Sequence, residues 1–93
     1  MTLFSSIETP AVLVDEAKLE ANLLAMQQKA DANGVSLRPH VKTHKSLEIG
    51  RRQLAHGATG LTVASVDEAL VFLSGDVASI TIARPVVDVR KFQ

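Results

Sequence analysis

Arg38, His40 and Lys42 occupy alternate positions of the stretch Arg38-Pro39-His40-Val41-Lys42-Thr43-His44-Lys45. In an extended strand alternate side chains share one face. Arg38, His40 and Lys42 then point one way, joined by His44 if the strand runs that far, and Leu37, Pro39 and Val41 point the other; His44 and Lys45 are expected in the loop after the strand. A strand packed under helices ordinarily carries apolar side chains on both faces, so a cationic row needs an anionic or electron-poor partner. A phosphate-bearing cofactor that takes a lysine as an imine meets that need. An amine attacks an aldehyde only when unprotonated, and a partly dry site favours that form. The competing reading is that Arg38, Lys42 and Lys45 are solvated charges at a strand end, the usual fate of such residues.

Other chemistries fit the same residues less well. Four residues of strand span roughly 13 Å, so His40 and His44 do not reach one metal ion without a sharp turn. A His-x-x-x-His chelate needs a helix, which Pro39 disfavours. The pair Lys42-Thr43 lacks the preceding glycines of a phosphate-binding loop. His56, beside Gly57, reads as a helix C-terminal residue favoured by the macrodipole, and Glu68 as a capping residue. Arg84-Pro85 follows a strand and is placed to reach a cofactor or substrate.

Strands and helices must hold these groups. Ala11 to Val14 is a β-prone run behind Pro10, and Asp15 caps a helix whose stripe is Leu19, Leu23, Met26 and Ala30, stopped by Gly34. Val35 to Lys42 is the next strand. Ser46 caps a helix ending near Gly57, and Gly60 to Ala64 is a third strand. Ser65-Val66-Asp67-Glu68 has the form of a capping box, and in the helix it opens Val66, Ala69, Leu70 and Leu73 are expected against the sheet. Gly75 ends that helix, Ser79 to Ala83 is a further strand, and Asp88 caps a helix toward Gln93. The alternation at about twenty residues predicts parallel βαβ units with right-handed crossovers.

Strand periodicity sends Leu61, Val63, Ile80 and Ile82 toward the helices and Gly60, Thr62, Ala64, Thr81 and Ala83 to the opposite, inner face. A barrel interior is ordinarily filled by bulky branched residues. Small ones leave room for a flat ring, or for long side chains from elsewhere.

The 93 residues hold 10 basic and 10 acidic side chains and no cysteine. This balance argues against nucleic acid or an anionic membrane surface as a partner, and the missing thiols exclude disulfides and thiolate metal sites. The apolar runs are short of a membrane span, and Met1 to Ser6 lacks the regions of a secretory signal, so a cytoplasmic protein is expected.

Thr9-Pro10-Ala11, Val12-Leu13-Val14-Asp15, the octapeptide with Ser46, and Gly60 to Ala69 together resemble the amino-terminal part of the D-threonine aldolase and D-serine dehydratase family. That family has the alanine-racemase-type fold of pyridoxal-phosphate enzymes, an α/β barrel followed by a β-domain. The resemblance implies an α/β chain forming the first βα units of an incomplete (β/α) barrel over residues 1–93, with Ala11 to Val14 joining the β-domain. It implies pyridoxal 5'-phosphate as cofactor, Lys42 as the Schiff-base lysine, and His40 and Arg38 as cofactor-binding neighbours. The implied reaction is lyase chemistry on D-configured β-hydroxy amino acids, by aldol cleavage or dehydration. A divalent metal would belong to the full-length enzyme, its ligands lying outside these residues. A complete barrel needs roughly 250 residues, so the chain is expected to be a portion that pairs with the remainder of the barrel or with copies of itself. Within the same fold the alternatives are an amino-acid racemase or a cofactor-carrying protein. Outside it stands a truncated, non-catalytic association module.

Overall fold

A computed structural model describes residues 5–86, 88 and 90. The elements run α1 (Glu16–Ala32), α2 (Leu47–Ala55), β1 (Leu61–Val63), α3 (Val66–Ser74) and β2 (Ile80–Ile82). Each helix opens on the residue its sequence nominates. Asp15 accepts the Lys18 N–H, Ser46 the Ile49 N–H and Ser65 the Glu68 N–H, satisfying donors that a helix start leaves unpaired. α1 stops at Asn33, followed by Gly34 at φ 66°. At the end of α3 Gly75 is the cap but has a negative φ, and Asp76 takes the left-handed conformation at φ 66°.

β1 and β2 pair in parallel, with Leu61 opposite Ile80, Thr62 opposite Thr81 and Val63 opposite Ile82. The predicted strand at Val35 to Lys42 is reduced to one parallel bridge, His40 to Thr62. Pro39 has no N–H to give a ladder. What remains are bonds from Thr62 N to Pro39 O and from Val41 N to Thr62 O, both 2.9 Å, together with the Thr62 hydroxyl on the Arg38 carbonyl, also 2.9 Å. Ala11 to Val14 forms no strand among the described residues, and Val12 is 94% exposed. It has no neighbouring strand there to pair with. The helix expected after Asp88 falls mostly outside the described residues, although Asp88 Oδ1 does accept the Arg90 N–H at 3.0 Å.

Val41, Leu61, Val63, Ala69, Phe72 and Val77 make the buried cluster between sheet and helices. Leu61 and Val63 thus face the helices as their alternation requires. α3 meets expectation only in part: Ala69 is buried as expected, but Phe72 is buried with it, whereas Leu70 and Leu73 are 58% and 52% exposed. The α1 stripe is also incomplete, since Ala30 is buried but Met26 is exposed and the polar Gln27 is buried in its place.

Gly50 lets α2 lie close on this core. A Cβ there would stand 3.0 Å from both Leu61 Cδ1 and Phe72 Cε1, two side chains that are themselves fully buried. Gly50→Val is therefore expected to destabilise the fold by about 1–3 kcal/mol through overpacking, despite valine's better helix propensity. A denaturant titration showing equal or higher stability would contradict this packing.

Candidate active site

The inner face of the sheet carries the sequence-nominated residues. His40, Thr62 and Thr81 stand in one register row across the bridge and β1–β2. Val41 is fully buried on the helix side, so its neighbour His40 faces the opposite, inner side, and Lys42 opens the turn that follows. Leu37 and Pro39 line a small cleft with Leu23, Met26, Gln27 and Gln53 on the helix side. The two-faced reading therefore holds from Leu37 to Val41.

Arg38 runs sideways across the inner face rather than up toward Lys42. Its guanidinium donates to Ser79 Oγ at 2.7 Å and, more weakly, to Thr81 Oγ1 at 3.5 Å. It passes over Gly60, where a Cβ would lie 3.1 Å from Arg38 Cζ and 2.6 Å from the Ser79 carbonyl oxygen. Part of the room left by the small inward residues is thus filled by Arg38 itself.

The Lys42 side chain is exposed and makes no ion pair among the described residues. Its backbone N–H donates to His40 Nδ1 at 3.1 Å. An accepting Nδ1 is unprotonated, so the neutral His40 ring carries its proton on Nε2. Beyond Lys42 the chain turns sharply, the Lys45 N–H bonding the Val41 carbonyl at 2.7 Å with Lys45 at φ 51°. The turn takes His44 off the cationic row and puts it, with Lys45, in the loop after the strand, as expected. Its Nδ1 accepts the Ser46 N–H at 2.9 Å and its Nε2 meets Gln53 Oε1 at 3.3 Å. Burial pushes the His44 imidazole below its ordinary value, with the Gln53 bond opposing.

Arg84 lines an open cleft of about 200 Å³ with Ser65, Val66, Ile82, Pro85, Val86 and Asp88, beyond the carboxyl ends of β1 and β2. That is the end at which barrel active sites lie. Sequence reasoning missed the ionic tie behind the site. Arg52 on α2 meets Glu16, Glu20 and Glu48 at 3.2, 3.0 and 3.0 Å. His56, at the end of α2 as expected, meets Glu20 Oε2 at 2.7 Å. The His56 bond first, with Arg52, holds the Glu20 carboxyl below its ordinary range. The i, i+4 pair Glu48–Arg52 was visible as spacing; the reach of Arg52 to α1 was not.

No helix among the described residues is long and apolar enough to cross a membrane. The family described as alanine racemase, N-terminal domain, matches residues 14–92. Among curated proteins the chain is 48% identical over 81 residues to a D-threonine aldolase of Arthrobacter sp, covering 87% of this chain and 21% of that protein. It is 42% identical over 78 residues to the D-threo-3-hydroxyaspartate dehydratase of Delftia sp. strain HT23, covering 84% of this chain and 20% of that one. Among solved structures it superposes on D-threonine aldolase from Filomicrobium marinum with a TM-score of 0.88 at 38% identity, over 91% of this chain and 23% of the other. The chain spans about a fifth of the length of the curated relatives it matches.

Proposed function

The chain belongs to the alanine racemase N-terminal domain family, whose barrel its parallel βα units begin, and from that premise we propose that it carries the cofactor lysine of a pyridoxal-phosphate lyase acting on D-configured β-hydroxy amino acids. One observation carries the reading: just beyond the inner-face row of His40, Thr62 and Thr81, Lys42 has its backbone N–H on the His40 ring and an exposed amine that makes no ion pair among the described residues. Similarity to an aldolase and to dehydratases supports the lyase class over racemisation.

The residues present fit the cofactor. Lys42 would hold it covalently, and His40, whose Nδ1 accepts the Lys42 N–H, would have Nε2 as its donor toward it. Arg38 contributes a fixed positive charge from lower on the same face, where its fork is held by Ser79 and Thr81. When bound, the cofactor supplies an electron sink for a carbanion at the substrate Cα. With the cofactor and a substrate in place, the amine of Lys42 would be the group on this chain that moves a proton at that carbon. In this reading Ala11 to Val14 pairs with a β-domain, and the exposed Leu70 and Leu73 of α3 pack against the rest of the barrel.

The test is reduction of the protein with borohydride after incubation with pyridoxal phosphate, followed by peptide mapping. One adduct, on Lys42, is the expected result. Adducts scattered over the other lysines, or none, would overturn the assignment.

A further inference from the structure

The turn that follows Lys42 is tied down at both ends. At its start Val41 is buried in the core, and its carbonyl accepts the Lys45 N–H. At its end the His44 ring reaches α2 twice, through the N-cap Ser46 and through Gln53, nearly two turns further along. Because Nδ1 accepts, Nε2 carries the single ring proton and donates to the Gln53 amide oxygen. A second proton, on Nδ1, would remove the acceptor for Ser46 and set a cation against the positive end of the helix dipole.

The charged groups on the surrounding elements are engaged elsewhere. Arg52 is held by Glu16, Glu20 and Glu48. His56 bonds Glu20, and Arg51 donates to the Gly75 carbonyl. Lys42 and Lys45 flank the ring along the chain and are exposed. None of these groups contributes to the displacement of the His44 proton equilibrium, which burial and Gln53 account for.

We propose that His44 is a positioning residue for Lys42, a neutral imidazole that ties the Lys42–Lys45 turn to α2 and so fixes where the Lys42 amine stands. The proposal rests on the reading of Lys42 as the cofactor lysine. Its pH sense follows from a folded-state value lowered by burial. The tie is complete at and above neutral pH. It weakens as pH falls below about 6.5, where an unrestrained imidazole takes up its proton and a detached turn is favoured.

The test uses the full-length protein carrying this segment. His44→Asn keeps a side-chain oxygen able to accept the Ser46 N–H, as asparagine does in turns, and does not titrate. His44→Leu removes the acceptor at similar bulk. The wild type is expected to capture pyridoxal phosphate on Lys42 more slowly as pH falls from about 7 to about 5. His44→Asn should keep most of the neutral-pH rate and show a shallower acid decline than the wild type, leaving only the part due to protonation of the Lys42 amine itself. His44→Leu should be slower than the wild type at neutral pH, by up to about tenfold for one lost hydrogen bond, and should approach the wild-type rate at acid pH, where the wild-type tie is also released. Imidazole nitrogen spectra of the cofactor-free protein should show His44 Nδ1 unprotonated at neutral pH.

A protonated Nδ1 there, or His44→Leu capturing the cofactor with the wild-type rate and pH profile, would overturn the positioning role alone. Absence of any Lys42 adduct in the wild type would overturn the Lys42 reading and this proposal with it. Thermal melts distinguish loss of fold in His44→Leu from loss of positioning, and if that variant does not fold, the acid limb of His44→Asn decides.

Discussion

Lys42→Ala in the full-length protein is expected to abolish covalent capture of pyridoxal phosphate and reduce turnover of D-threonine or D-serine to background. The loss of proton transfer at Cα alone is worth a factor on the order of 10² to 10⁴. The fold should be unaffected, because the Lys42 side chain is exposed and unpaired among the described residues, while its backbone is held through His40 and the turn. The assay follows release of pyruvate with ammonia, or of acetaldehyde with glycine, beside a thermal melt. Lys42→Arg sharpens the result, since it keeps the charge and cannot form the bond. If Lys42→Arg turned over substrate like the wild type, Lys42 would be only a solvated charge.

The second large effect is on stability. Phe72→Ala is expected to destabilise by about 3–5 kcal/mol, the usual range for emptying a buried aromatic site. Phe72 is 1% exposed and lies in the cluster with Leu61, Val63 and Val41. Its ring also lies close to α2 at Gly50, which has no side chain of its own to move into the void. Against a typical stability of about 5–15 kcal/mol, such a loss is visible in a denaturant titration. A shift under about 1 kcal/mol would mean that Phe72 does not hold α2 and α3 on the sheet.

Phe72 also marks the limit of what the sequence makes legible. Asp15, Ser46 and Ser65 announce their helices because a cap acts through local hydrogen bonds, and those form as expected. Leu61 and Val63 announce their direction because a strand has only two faces. α3 is apolar nearly all round, from Val66 through Leu73, so no stripe singles out the buried side. Ala69 goes inward as expected, but the large Phe72 takes the place expected of Leu70 and Leu73. Lys42, His40 and Arg38 were legible as a row. The direction of Arg38 was not, because its hydroxyl partners lie 41 and 43 residues away. The role of His44 was hidden by the turn that Lys45 closes, a non-glycine residue at positive φ that no spacing rule anticipates.

The sideways course of Arg38 gives the sheet a means of checking its own alignment. From beside β1, its fork reaches two hydroxyls on alternate positions of the next strand segment, Ser79 and Thr81. A slip of one residue would present Ala78 and Ile80 instead, neither of which accepts a hydrogen bond through its side chain, and would turn Thr81 toward the core. Backbone ladders tolerate many registers; a guanidinium looking for a serine and a threonine at fixed separation accepts one. The residue that the sequence marks as part of a cationic row therefore also acts, in assembly, as the gauge by which three adjacent segments find their correct offset.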